Sequence, residues 1–162
     1  MIYVKKPDGT IIQHDTKDAQ QMRQALQIDK QLAAQKGEEF GEVYDADSLP
    51  DEDKVKLGLM KLADHVAKLK AQAYAVISSR SRSERAAILD DQTMLNILSG
   101  ATTDYPAYLT TANVAKMIER FKSVSKQAKA DVKAATTKAG IDAVLNGLAF
   151  PTEAEIIAEA KK

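Results

Sequence analysis

The chain contains no cysteine and no tryptophan, and aromatic residues make up only 5% of its 162 residues. Without cysteine it forms no disulfide, carries no thiolate nucleophile and builds no Cys-ligated zinc site. Four prolines and seven glycines are few for a loop-rich β protein. No apolar run approaches the length of about 18 residues that a membrane span requires. The opening segment "MIYVKKPDGT" has no apolar stretch of the signal-peptide kind. The expectation is therefore a soluble chain made in the cytoplasm, with no membrane partner. No Gly-rich phosphate loop occurs either, since the glycines are scattered and none precedes a Lys-Ser or Lys-Thr pair.

What is present is aliphatic. Hydrophobic residues reach 44%, mostly Ala, Leu, Val and Ile, which pack well between helices. The formal net charge is zero, but charge is segregated. Segments 1–51, 86–110 and 139–162 carry net charges of −4, −3 and −2, whereas 52–85 and 111–138 carry +4 and +5. Such blocks can meet phosphate, or can pair with oppositely charged blocks of the same or another chain.

Along the chain, "IYVKKPDGTIIQH" reads as a β-hairpin turning at Pro7-Asp8-Gly9. Asp15 or Thr16 caps a helix over about 17–36, which Gly37 ends. An acidic loop follows. Val55, Leu59, Leu62, Val66, Leu69, Ala73 and Val76 then step 4, 3, 4, 3, 4, 3, a heptad that predicts one long helix from a cap at Ser48 or Asp51 to about Ser79. Ser81 or Ser83 starts a shorter helix through about Leu98, closed by Gly100. After a loop around Pro106, Thr110 or Thr111 caps a second heptad helix: Val114, Ile118, Phe121, Ser125, Ala128, Val132 and Ala135, with Met117 and Val124 widening the stripe and Gly140 breaking it. A short helix over 141–147 precedes a last one, for which Thr152 and Glu155 form a capping box. The fold expected is all-α: an elongated bundle with two long antiparallel heptad helices and a small N-terminal hairpin, divided into 1–15, 16–140 and 141–162. The seams can pair within one chain or between chains.

Chemistry-bearing motifs are sparse. His14 and His65 have neither a second His nor a carboxylate at metal-ligand spacing. Asp45, Asp47 and Asp51 match alternate positions of a calcium loop, but Leu49, Pro50 and Lys56 stand where a ligand, a Gly and a bidentate Glu are required. Ser123 and Lys126 have Ser-x-x-Lys spacing, without the partner motifs and in mid-helix. Asp90–Asp91 reads as a helix cap or turn. No catalytic residue, metal or cofactor is implied. "ISSRSRSERAAI" places Arg80, Arg82 and Arg85 among four serines. Lys122, Lys126, Lys129 and Lys133 step 4, 3, 4 along the second heptad helix. These seven are candidate phosphate contacts, while the Arg stretch itself reads as a joint between two helices.

The segment "VKAATTKAGIDAVLNGLAFPTEAE", Val132 to Glu155, is similar to a C-terminal pattern in phage tail and tail-fibre assembly proteins. A basic helix runs into Ala134–Thr137, then a short helix with the core Ile141–Val144, then the aromatic-Pro pair Phe150–Pro151. The family usually has Trp before the Pro, where this chain has Phe150. The resemblance implies a virion or assembly setting and carries over no catalytic residue. The function expected is that of a non-enzymatic structural or assembly protein acting through a protein partner or as a homo-oligomer. The alternative is a nucleic-acid-binding accessory protein.

Overall fold

A computed structural model describes residues 1–15, 18–101 and 105–160. The described residues are mostly helical, with a three-stranded antiparallel sheet near the N-terminus. They fall into two compact units, Met1–Leu62 and Ala63–Lys162. The boundary between these units, after residue 62, is not one of the divisions expected after residues 15 and 140.

In the first unit, β1 (Ile2–Lys5) pairs with β2 (Ile11–His14) as the hairpin predicts. Asp8 Oδ1 accepts from the Thr10 amide at 2.8 Å inside the turn. The sheet gains a third strand that the hairpin reading lacked: β3 (Glu42–Asp45) pairs antiparallel with β1, giving the order β2-β1-β3. A bare two-stranded hairpin is marginal in water, and the third strand makes β1 central. Gly41 leads into β3 because nothing larger fits. A Cβ there would lie 2.1 Å from the Lys5 carbonyl oxygen.

Strand alternation sends Val4 and Ile12 to one face and Tyr3 and Lys5 to the other. The first face meets α1 (Ala19–Lys36), whose Leu32 and Ala33 line a cavity with Val4 and Ile12. His14 Nε2 lies 2.7 Å from Asp29 Oδ2 of the same helix. The cap of α1 is Asp18, accepting from the Gln20 amide, rather than Asp15; Thr16 lies outside the described residues. The second face is tied to α2 (Asp51–Lys56) by Lys5, whose Nζ sits 2.7 Å from Asp53 Oδ2.

The first heptad helix is not continuous. After α2 the chain turns over 57–61, with Gly58 at φ +70°. Leu59 N–H bonds to Lys54 O and Gly58 N–H to Val55 O, the pairing of a left-handed helix stop. Val55 lies in α2, Leu59 in the turn and Leu62 at the start of α3 (Leu62–Ile88). Leu59 and Leu62 are 50% and 63% exposed, so the first three seam positions do not form the expected seam. Spacing alone carries through a turn that a left-handed glycine interrupts.

In the second unit, α3 runs straight through the Arg-Ser stretch, correcting the helix-joint reading. No Gly or Pro stands between Gly58 and Gly100. Ser78 Oγ donates to Tyr74 O at 2.8 Å instead of capping a new helix, and Arg80 pairs with Glu84 one turn on. The buried stripe passes from Ala73 to Ile77, leaving Val76 43% exposed. A straight helix of 3.6 residues per turn drifts off a 3.5-residue repeat in this way.

The next helix, α4 (Asp91–Ser99), starts from Asp90, whose side chain accepts from the Thr93 amide, and ends at Gly100. Thr110 caps α5 (Thr111–Ala134), the organising helix of this unit. Val114, Met117, Phe121, Ala128 and Val132 of α5 are buried, while Ile118 is partly buried against the same core. Val66 and Leu69 pack partly buried against it from α3. Gly140 does not end α5, which stops at Ala134. It lies inside α6 (Lys138–Asn146), capped by Thr137. Phe150 stacks on Phe121, ring centroids 5.4 Å apart and planes at 7°. The Thr152–Glu155 capping box forms as predicted at the head of α7 (Glu153–Ala160).

Candidate functional site

The seven basic candidates separate once placed. Arg80 is committed to the fold. Its guanidinium donates to Glu84 Oε1 at 3.0 and 3.1 Å and to the Leu148 carbonyl at 3.2 Å. A longer bond, 3.5 Å, reaches the Leu145 carbonyl in the last turn of α6. A cation there complements the negative end of the helix. Arg85 Nη2 lies 2.6 Å from Asp91 Oδ1 in the first turn of α4. Arg82 is exposed. The three arginines therefore do not converge on one ligand position.

The lysines behave differently. Lys122, Lys126 and Lys129 line an open groove with Ser78 and Ser81 of α3 and Ser125 of α5, enclosing about 440 Å³. Lys133 is not among the groove residues, and its backbone carbonyl accepts from Lys70 Nζ at 2.7 Å. Lys122 pairs with Glu119 at 2.7 Å, but both side chains are about two-thirds exposed, where such pairs contribute little. Lys126 and Lys129 have no carboxylate partner within 4.0 Å among the described residues. The lysine stripe was legible from its spacing. The serine side of the groove was not, because it needs α3 to continue past Val76.

The first unit holds a second feature that sequence reasoning missed. A cavity of about 150 Å³ lies between the sheet and α1. Val4, Ile12, Leu32, Ala33 and Phe40 supply apolar walls, with Lys6, Asp29, Lys36 and Glu38 around them. Leu32 is still 48% exposed, and Ile28, one turn earlier on α1, is 55% exposed.

Carboxyls held below their ordinary range have structural causes. Hydrogen bonding by Lys5 lowers Asp53, Ser48 lowers Asp45, Thr93 lowers Asp90, and the Thr152 amide lowers Glu155. These are turns, caps and one ion pair rather than a converging acid–base set. The Asp45 carboxylate accepts from the Ser48 hydroxyl and amide at 2.6 and 2.7 Å, a turn contact in place of a calcium ligand. Ser123 and Lys126 lie in the middle of α5. Among the described residues no group of three His, Asp or Glu is placed to hold a metal, and no helix is long and apolar enough to cross a membrane. Comparison with family models, curated proteins and solved structures returned no match to the chain.

Proposed function

We propose that this chain is a non-enzymatic assembly protein that works by docking to protein partners, in the phage virion or tail-assembly setting that the resemblance of residues 132–155 implies. The observation that carries the docking reading is the pairing of Ile28 and Leu32 on α1. Two large aliphatic side chains one turn apart lie open to solvent beside an apolar cavity. Covering them removes apolar surface from water, at about 25 cal/mol per Å². The surrounding Lys6, Asp29, Lys36 and Glu38 offer both signs of charge, which select the partner and its orientation more than they add affinity.

In this reading the second unit is a helical body in which α3 and α5 run antiparallel. Two observations support that direction: Lys70 meets residue 133, and Ser78 and Ser81 share a groove with residues 122–129. As α3 advances, its neighbours on α5 recede in number.

The test is Ile28→Glu/Leu32→Glu. Light scattering measures the solution mass of both proteins, and a pull-down compares the partners they retain from the native source. The expected outcome is loss of association with the helical melting transition unchanged. A wild-type chain that stays monomeric at high concentration and retains no protein from that source would sink the reading.

A further inference from the structure

The groove between α3 and α5 has no role in docking through α1, and its chemistry points elsewhere. We propose that it binds the phosphodiester backbone of a single-stranded nucleic acid. Three features carry this. First, its cations are free to act: Lys126 and Lys129 lack carboxylate partners among the described residues, and Gln127 engages the nearby Asp131 at 2.8 Å. Second, they form one line. Lys122 to Lys129 spans seven residues of helix, roughly 10 Å at 1.5 Å per residue. One row of cations along a shallow, open groove suits the backbone of one strand.

Third, the remaining walls are small and hydroxylic. The Ser78 and Ser125 hydroxyls donate to Tyr74 O and Phe121 O at 2.8 and 2.9 Å. They therefore stay close to their helices and leave room for a phosphate. Ser81 Oγ has no partner among the described residues and is available to donate. Among the described residues no aromatic lines the groove, so bases are not stacked there and the contact is blind to sequence. Arg80 and Arg85 are not part of the contact, since they serve the fold, and Arg82 is not among the residues lining the groove.

The number of lysines sets the expected salt dependence. Three phosphate contacts to a single strand give a slope of log K against log salt of about −2. Affinity then falls roughly twenty-fold between 50 and 200 mM salt. A labelled oligothymidylate, titrated with the full chain across that range, measures the slope by anisotropy. Lys126→Gln/Lys129→Gln is expected to reduce it to below about −1 in magnitude. The equally charged control Lys30→Gln/Lys61→Gln leaves it unchanged, and melting curves establish that both variants are folded. No salt-sensitive binding, or an equal loss in the control, would overturn the proposal. So would tighter, Lys126/Lys129-dependent binding of polyglutamate of matched charge, which would assign the groove to an acidic protein. None of these readouts depends on Ile28 or Leu32, so the docking reading stands or falls separately.

Discussion

In the first unit one of the fully buried side chains is a carboxylate, whereas in the second the largest fully buried groups are Phe121, Ile77 and Met117. Asp53 is 1% exposed and is held by Lys5 at 2.7 Å and Lys56 at 3.2 Å. It joins a two-turn helix to the central strand of a small sheet. The second unit has enough aliphatic helix to close a core around α5, and there the prominent charged group, Arg80, sits at its edge and satisfies carbonyls. Small units bury a smaller share of their surface, so a single polar tie counts for more in the first. In the second, shape counts for more.

The largest effect that separates the two is expected at Phe121. Phe121→Ala removes a buried ring together with its stacking on Phe150, and such truncations cost about 3–5 kcal/mol. Urea unfolding followed by helical circular dichroism measures it. A loss under about 1 kcal/mol would show that α5 does not organise the core as described.

Asp53→Asn breaks the comparison from the other side, at about 1–3 kcal/mol, because the ammonium of Lys5 loses a charged acceptor. Exchange of the Ile2–Lys5 backbone amides should quicken while that of α5 holds steady. The pH dependence has a definite sign. Lys5 keeps the Asp53 carboxyl below its ordinary value of 3.8, so the folded state binds this proton less readily than the unfolded chain. Its contribution is complete above the unfolded value and disappears as pH falls through the lower folded one. The wild-type-minus-variant stability difference should therefore shrink on acidification. A difference that grows toward low pH would contradict the assignment.

The contrast also explains what could be read in advance. Signals that live within a few residues were legible: the Pro7-Asp8-Gly9 turn, the Gly37 and Gly100 helix ends, the Thr110 cap, the Thr152–Glu155 box and the inward stripe of α5. β3 was not, because Val43 and Tyr44 stand inside an acidic run and their pairing with β1 is long-range. The break at Gly58 was hidden by leucines that happen to keep heptad spacing across a turn. The serines after Ile77 have helix-capping chemistry, yet caps need an interrupted backbone, and no Gly or Pro interrupts it there. The groove and the α1 cavity both lie between elements, so neither existed until the elements were placed. The lysine half of the groove could be seen, and the serine half waited on the continuity of α3.

The smallest prediction bears on that continuity. If α3 passes unbroken through the Arg-Ser stretch, its arginines are unequal by position. Arg80 falls on the stripe that continues Ala73 and Ile77, facing the C-terminal carbonyls of α6; Arg82 points to solvent. Arg80→Ala leaves the Leu148 carbonyl without its cation and frees Glu84, a loss of about 1–2 kcal/mol. Arg82→Ala should stay within about 0.5 kcal/mol. A joint between a long helix ending near Ser79 and a shorter one after it would make the two substitutions equivalent, since neither side chain would then be held against α6. Parallel urea titrations of the two variants distinguish these outcomes. Equal, small losses would return the stretch to the surface and its arginines to the list of phosphate contacts.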